Sequence, residues 1–270
     1  MRRTDLTPKD HASLSALCDR LADAARAQTL AHFRKTGLAA DNKLSDGFDP
    51  VTVADRAAET AMRDILLAEK PDDAILGEEH GARAGTSGLQ WVLDPIDGTR
   101  AYISGATTWG VLIALADTDG PFLGVFDQPF TQERFIGGLG VAELRSPRGT
   151  VSLQSRTTSA LDDAILFSTF PEIGSMTERT AFTRVSQACK LTRYGMDCYA
   201  YALLAAGHID LVIEAGLNAY DICAPIAVIE AAGGTVTNWQ GGPAHDGGQV
   251  LAAANPTLHA AALELLQSAP

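Results

Sequence analysis

The sequence predicts a layered α/β or α+β fold in which helices cover β-sheets. Its 270 residues are 46% hydrophobic and 20% charged, a balance that is typical of a globular protein with a large core. Short apolar runs bounded by Gly, Pro and Asp indicate strands. Longer stretches with apolar residues three and four positions apart indicate helices. Consecutive strands dominate part of the first half, whereas strands and helices alternate in the second half.

The first half opens with a helix whose start carries a capping sequence. Thr7 can cap the helix and Asp10 completes a capping box, so the helix is expected to run to near residue 36, before Gly37. A polar loop is expected at Asn42–Pro50. The elements predicted after it are a helix at Ala54–Lys70 and strands at Ala74–Leu76, Trp91–Leu93, Trp109–Ala116, Phe122–Phe126 and Arg134–Ile136.

A composition shift at Ser146–Gly149 marks the expected boundary between two halves. Residues 1–148 should form an N-terminal α+β half, and residues 149–270 a C-terminal α/β half that works with it as one unit. The elements predicted after the boundary are strands at Ala164–Phe167, Leu191–Arg193, Ile209–Glu214, Thr235–Asn238 and Val250–Ala253, and helices within Ser175–Lys190 and at Asp197–Ala206, Tyr220–Ala232 and Pro256–Gln267.

The charge of the chain limits its partners. Asp and Glu number 33 against 21 Lys and Arg, so the formal net charge at pH 7 is −12. An acidic surface repels phosphate backbones, which argues against nucleic acid as a partner. The longest uncharged run, Ala101–Ala116, is shorter than the roughly 20 apolar residues that a membrane-spanning helix needs. A signal peptide would require an apolar stretch after Arg2 and Arg3, and the sequence has none there. We expect a cytoplasmic protein that does not contact membranes.

The cysteines and histidines point to no zinc or redox site. Cys18, Cys189, Cys198 and Cys223 form no C-x-x-C pair. Free thiols in a reducing compartment are therefore expected. The six histidines also lack the paired spacing of metal ligands.

Trp91–Thr99 is the most informative segment of the chain. A short apolar strand leads into Asp94 and Asp97, and Gly98 allows another backbone to approach closely. Two carboxylates held close together repel each other unless a cation lies between them. Oxygen ligands beside a tight turn suggest Mg²⁺, which binds carboxylates together with substrate phosphate. If a helix begins at Gly98 and Thr99, their amides can also bind an anion.

Other interpretations of these acidic segments stay open at this level. Asp-Pro and Asp-Gly are ordinary turn formers, so a single D-P-x-D-G segment is consistent with a plain loop. The D-x-D-G-T nucleophile motif of haloacid-dehalogenase-type phosphatases is disfavoured, because two residues separate the acids here. Asp55 and Asp221 each begin a predicted helix, where an aspartate often serves only as a cap.

Four motifs in sequence order resemble the inositol monophosphatase family of Mg²⁺-dependent, lithium-sensitive phosphatases. They are D-P-V-T-V-A-D at 49–55, G-E-E at 77–79, W-V-L-D-P-I-D-G-T at 91–99, and Y-D at 220–221 followed by E-A-A-G-G at 230–234. The resemblance covers nearly the whole chain and implies an α-β-α-β-α sandwich of helices and two sheets. Gly98–Gly105 and Gly195–Tyr201 look most like the histidinol-phosphate phosphatase branch, since inositol-specific members usually have Thr-Asn in place of Arg100-Ala101.

The resemblance also implies roles for individual residues. It places two Mg²⁺ ions, with a third possible, on one set of ligands: Glu78, Asp94, the backbone carbonyl of Ile96, Asp97 and Asp221. Asp55, Thr99 and Glu78 are the expected catalytic residues, of which Asp55 and Thr99 orient the attacking water. The amides of Gly98 and Thr99 are expected to bind phosphate oxygens.

The substrate-binding residues implied by the resemblance are Arg100, Asp197 and Glu214. Asp197 stands where inositol-specific relatives have a small apolar residue, and two acids suit a cationic amino alcohol better than a neutral polyol. For Asp197, a helix cap stays open as an alternative. For Arg100, pairing with an acid, contact with phosphate and simple surface exposure all stay open.

The expected activity is the hydrolysis of L-histidinol phosphate to L-histidinol and phosphate, a step of histidine biosynthesis. The first alternative is an inositol-1-monophosphatase, or a broad-specificity phosphatase of the same family. A second alternative is a non-catalytic metal- or phosphate-binding protein, which would have no need of a water-orienting pair. The resemblance further suggests a homodimer.

Overall fold

A computed structural model of the chain describes residues 2–35, 40–42 and 50–268. Gly37, the expected stop of the first helix, lies outside these ranges. The predicted loop Asn42–Pro50 also lies outside them, apart from its two end residues, which belong to short strands.

The described residues contain helices on both sides of the predicted boundary. Their bounds are α1 (Pro8–His32), α2 (Val53–Glu69), α3 (Thr99–Ile103), α4 (Met176–Ala188), α5 (Tyr199–Ala205), α6 (Ala219–Ala231) and α7 (Pro256–Gln267).

The strands form a two-stranded ribbon and two larger sheets. The ribbon pairs β1 (Ala40–Asn42) with β2 (Pro50–Thr52). The first sheet has the strand order β10-β9-β8-β7-β6-β5-β3-β4, with β3 (Ala74–Gly77), β4 (Gly81–Arg83), β5 (Gln90–Asp97), β6 (Gly110–Asp117), β7 (Gly120–Gln128), β8 (Glu133–Gly138), β9 (Val141–Ser146) and β10 (Gly149–Ser152). The second has the order β12-β11-β13-β15-β14, with β11 (Ile165–Ser168), β12 (Leu191–Tyr194), β13 (Leu211–Asn218), β14 (Thr235–Thr237) and β15 (Gly247–Ala253).

These elements stack in five layers, which confirms the predicted α-β-α-β-α order. Helices α1 and α2 pack on the outer face of the eight-stranded sheet. Helices α5 and α6 lie between the two sheets, and the apolar residues around α6 form the central core. Helices α4 and α7 cover the far face of the five-stranded sheet. Burial of both faces of each sheet accounts for the almost continuous apolar runs in its inner strands.

Helix α1 begins as predicted and ends earlier than predicted. Thr7 and Asp10 form the expected capping box. The helix stops at His32 and not near residue 36, because Phe33 leaves it to pack against Tyr102 and Trp109, with ring centroids 5.2 and 5.1 Å away.

Strand β5 of the eight-stranded sheet carries the acidic motif at its C-terminal end. Strand β3 runs parallel to β5 and β6 runs antiparallel to it, and the β5–β6 register shifts between Asp94 and Asp97. A bulge of this kind bends a strand and redirects its side chains. The amide of Glu78, just after β3, donates to the carbonyl of Leu93 at 3.2 Å, so Glu78 lies beside Asp94.

The second sheet brings the remaining acids to the same place. Strand β13 is parallel to β11 and antiparallel to β15, with a register shift between Glu214 and Leu217. Helix α6 starts directly after β13, with Asp221 in its first turn. Because α6 lies between the sheets, its N-terminus points Asp221 at the end of β5.

Two parts of the second half differ from the sequence prediction. The helix expected from Asp197 begins at Tyr199, since Asp197 adopts the left-handed region with φ of 46°. The predicted boundary Ser146–Gly149 forms the turn between β9 and β10, which pair as a hairpin. Division into halves 1–148 and 149–270 stays a prediction.

All four cysteines have free thiols, as expected, and three of them are buried. Within the described ranges, no helix combines the length and the apolar character needed to cross a lipid bilayer.

Candidate active site

A cavity of about 320 Å³ opens where the ends of β5 and β13 meet the first turns of α3 and α6. It gathers ten of the sequence-predicted residues. These are Glu78, Asp94, Ile96, Asp97, Gly98, Thr99, Arg100, Asp197, Glu214 and Asp221. Asp55 does not line the cavity and contacts one of its wall residues, Thr99.

Three carboxylates form the acidic centre of the cavity. Ligand atoms of Asp94, Asp97 and Asp221 all lie within 4.8 Å of one another. Asp94 is 1% exposed, and burial together with the charges of Glu78, Asp97 and Asp221 raises its carboxyl pKa well above the ordinary value. Burial, followed by the charge of Asp221, does the same for the pKa of Asp97. Carboxylate oxygens that lie this close together and repel one another fit a hard divalent cation.

Backbone contacts fix the orientation of this acidic centre. Asp94 Oδ1 accepts the amide of Ile96 at 3.0 Å, which closes a local turn. The carbonyl of Ile96 accepts the Thr99 hydroxyl at 3.0 Å. Asp221 Oδ2 accepts the amide of Asn218, the N-cap of α6, at 2.7 Å, so Asp221 belongs to the capping box and to the acidic cluster at once.

Asp55 uses its two carboxylate oxygens for different contacts. Oδ2 accepts the amide of Thr52 at 2.9 Å and its hydroxyl at 2.5 Å, which completes the capping box of α2. Oδ1 lies 3.4 Å from the Thr99 hydroxyl. Burial raises the pKa of Asp55 to about 6, although the hydrogen bonds from Thr52 oppose the shift. Asp55 therefore completes the capping box of α2 and contacts Thr99 at the same time.

Gly98 forms the turn between β5 and α3. Its φ of 84° is in the left-handed region, and a Cβ there would lie 3.0 Å from Asp197 Cβ and 3.2 Å from Trp109 Cα. Glycine is therefore required both by conformation and by space. A short helix does begin at Thr99, as the anion-binding hypothesis needs.

The second half contributes two further acids to the cavity wall. Asp197 Oδ2 accepts the Thr108 hydroxyl at 2.9 Å, and burial raises the pKa of Asp197, partly offset by Arg100. The N-cap of α5 is Cys198, so Asp197 is not that cap. Glu214 is 6% exposed, and burial raises its pKa to about 7.

Arg100 has an exposed side chain at the mouth of the cavity. Its guanidinium lies 5.3 Å from the ring centroid of Phe170. This cation–π contact and the attraction to Asp197 favour pairing within the pocket over simple surface exposure.

Several wall residues were not predicted as site residues. Thr169 donates to Glu214 Oε1 through its amide at 2.6 Å and its hydroxyl at 2.9 Å. Phe170 and Tyr201 also line the cavity.

Behind the wall, the buried carboxylate of Glu59 accepts the amides of Glu79 at 2.7 Å and His80 at 3.2 Å and so holds the turn that carries Glu78. The position of Glu59 one helical turn after Asp55 was the only signal in the sequence for this role.

The comparisons with known proteins agree with this geometry. A family model described as the inositol monophosphatase family matches residues 13–270. The chain belongs to the inositol monophosphatase family. A solved structure of an inositol monophosphatase from Zymomonas mobilis is 39% identical, with a TM-score of 0.83 and coverage of 94% of this chain and 97% of that one.

Two of the similar curated proteins are named as phosphatases with different specificities. The chloroplastic bifunctional phosphatase IMPL2 of Arabidopsis thaliana is 39% identical over 98% of this chain and 78% of its own length. The histidinol-phosphatase of Mycobacterium tuberculosis is 33% identical over 88% of this chain and 92% of its own. Membership of this metal-dependent family makes the chain a phosphatase.

Proposed function

We propose that the protein is a Mg²⁺-dependent phosphatase that hydrolyses L-histidinol phosphate to L-histidinol and phosphate. The observation that carries the proposal is the placement of Asp197 and Glu214 in the same cavity as the acidic cluster of Asp94, Asp97 and Asp221. One side of the cavity suits metal and phosphate, and the other suits a cationic alcohol.

The acidic cluster would hold the metal. Glu78, Asp94, Asp97, Asp221 and the Ile96 carbonyl are the proposed ligands for two Mg²⁺ ions, with a third near Glu78. When bound, Mg²⁺ neutralises the carboxylates, polarises the phosphate and lowers the pKa of a coordinated water. The amides of Gly98 and Thr99 donate to phosphate oxygens from the start of α3.

Asp55 and Thr99 orient the attacking water in this proposal. Asp55 is pinned by Thr52 through one oxygen and presents the other beside the Thr99 hydroxyl. With a pKa of about 6, Asp55 is a suitable general base near neutral pH. The threonine hydroxyl fixes the water by hydrogen bonding while Asp55 takes its proton.

Among the described residues that line the cavity, none is arranged as an activated nucleophile. The proposal therefore has water attack the phosphate directly. Cys198 is the cysteine that lines it, and its thiol donates to the carbonyl oxygens of Asp97 at 3.6 Å and Thr108 at 3.8 Å. It is 1% exposed and therefore poorly placed for transfer of a phosphoryl group.

Charge supports the choice of substrate. A protonated amino alcohol brings a positive charge to the half-buried Asp197 and the buried Glu214, whereas a neutral polyol brings none. The histidinol-phosphatase of Mycobacterium tuberculosis is consistent with this choice. The alternative is an inositol-1-monophosphatase or a broad phosphatase, which the Zymomonas mobilis relative supports.

Phosphate release from a panel of small phosphate monoesters tests the reaction class. We expect release with Mg²⁺ present, and loss of release when the metal is chelated. If no ester in the panel is hydrolysed faster with Mg²⁺, a non-catalytic metal- or phosphate-binding protein becomes the better interpretation.

The proposal extends to a cytoplasmic homodimer. Free thiols are consistent with a reducing compartment. Light scattering of the purified protein tests the assembly, and a monomeric mass would contradict it.

A further inference from the structure

Tyr201 carries a buried hydroxyl with no hydrogen-bond partner among the described residues. The residue lies on α5, is 4% exposed and lines the active-site cavity. Buried hydroxyl groups in folded proteins nearly always have a partner, so an exception needs an explanation. A hydroxyl that borders a cavity can obtain its partner from a bound ligand.

The neighbouring tyrosine shows that a tyrosine hydroxyl on α5 can find a hydrogen-bond partner within the protein. The hydroxyl of Tyr199, two residues earlier, donates to Glu133 Oε2 at 2.6 Å. Its ring also packs against Phe126 and Phe135. Tyr199 is thus a structural residue, and the two tyrosines differ in what surrounds the hydroxyl.

The charges around the Tyr201 hydroxyl indicate what it would bind. Burial, followed by the charges of Glu214, Asp97 and Asp221, raises the pKa of Tyr201 well above its ordinary value. Glu214 is already oriented by donors at the end of β11, namely the Ser168 hydroxyl at 3.4 Å and the amide and hydroxyl of Thr169, the next residue. Tyr201 therefore lines the same cavity as a carboxylate that is already fixed, and the acceptor capacity of its hydroxyl is unused.

We propose that the Tyr201 hydroxyl accepts a hydrogen bond from the ammonium group of the leaving amino alcohol and so determines specificity for that group. This inference rests on the proposed function. An ammonium group has three donors and no acceptor, and Asp197, Glu214 and Tyr201 would supply three acceptors from one wall. A substrate without the amine would leave the phenol without a partner and would bring no positive charge to the two acids, which selects against it.

The test compares Tyr201→Phe with the matched control Tyr199→Phe. Each variant and the wild type are assayed with Mg²⁺ on L-histidinol phosphate and on an analogue with hydrogen in place of the amino group. We expect Tyr201→Phe to lower the ratio of kcat/KM between the two substrates by at least about tenfold. Its melting temperature should not fall, because the change removes an unsatisfied buried hydroxyl. Tyr199→Phe should keep the ratio and lose thermal stability.

The outcomes separate this inference from the proposed function. A wild type that hydrolyses neither substrate overturns the proposed function and the inference with it. A wild type that hydrolyses the two equally well overturns the inference alone, because L-histidinol phosphate is then still a substrate. A wild type that prefers L-histidinol phosphate, together with a Tyr201→Phe variant of the same preference, overturns the inference alone. Equal losses on both substrates with a higher Mg²⁺ requirement would also overturn it, because the hydroxyl would then act on the metal side.

Discussion

The Oδ1 atom of Asp55 lies 3.4 Å from the hydroxyl oxygen of Thr99, although the two residues are 44 positions apart in the chain. Each residue belongs to the first turn of a helix, and the other oxygen of Asp55 is held by Thr52. A rigid carboxylate beside a hydroxyl is the arrangement that a water-orienting pair requires.

Removal of the Thr99 hydroxyl should impair turnover more than binding. Thr99→Val is expected to lower kcat by about 10²- to 10⁴-fold, with little change in KM or in the Mg²⁺ requirement. Thr99→Ser keeps the hydroxyl and should retain most of the activity. Steady-state kinetics at saturating Mg²⁺ measures both effects. A serine variant as impaired as the valine variant would contradict the role of the hydroxyl.

Asp94→Asn should separate activity from stability. We expect a loss of kcat of at least about 10³-fold, because a shared metal ligand is removed. The fold should survive, since asparagine keeps the acceptor for the Ile96 amide and relieves repulsion by Glu78, Asp97 and Asp221. Melting curves should show stabilisation by Mg²⁺ in the wild type and a smaller effect in the variant. Near wild-type turnover would refute the ligand assignment.

Gly77→Ala should disturb the turn that carries Glu78. A Cβ at Gly77 would overlap the carboxylate of Glu59, which holds the amides of Glu79 and His80. We expect a loss of about 1–3 kcal/mol in the free energy of unfolding and a higher Mg²⁺ concentration for half-maximal activity.

Gly81→Ala is the control for Gly77→Ala. A Cβ at Gly81 would meet nothing within 4 Å, and the substitution is strained only by its φ of 67°. Urea unfolding and Mg²⁺ titration of activity measure the two effects. The same shift of the Mg²⁺ requirement in both variants would show that backbone strain, and not displacement of Glu59, is responsible.

Glu214 should make stability depend on pH. Its pKa is about 7 in the folded protein and 4.5 ordinarily, so between these values the folded state binds more protons than the unfolded state. Stability is therefore expected to fall as pH rises through this window. In the metal-free protein, the melting temperature of Glu214→Gln minus that of the wild type should grow from about pH 4.5 to about pH 7. A difference independent of pH would contradict the assignment.

The sequence predicted elements well where local signals and burial coincide. Helix α7 has the predicted bounds Pro256–Gln267, because Asn255 caps it and Pro256 occupies its first turn. Strands β9 and β10 were not predicted, since all residues of β9 are half-buried and all residues of β10 are exposed, so no alternation marks them. Their pairing depends on the sheet and not on local pattern.

The site was predictable where a motif carries several ligands. Asp94 and Asp97 share one strand end, and the structure places Asp221 beside them. Thr169 was not predicted as a site residue because tertiary contacts bring it to the cavity. Sequence spacing alone does not tell which of Tyr199 and Tyr201 faces it, because both are aromatic residues on one short helix.

The central claim is that the cavity selects a phosphorylated amino alcohol, and wild-type kcat/KM for two substrates tests it most directly. L-histidinol phosphate and inositol 1-phosphate are compared with Mg²⁺ under identical conditions. The account predicts that L-histidinol phosphate is preferred by at least about tenfold, because Asp197 and Glu214 need a cation beside them. An equal rate, or a preference for inositol 1-phosphate, would contradict the substrate assignment and leave a phosphatase of broader or inositol specificity.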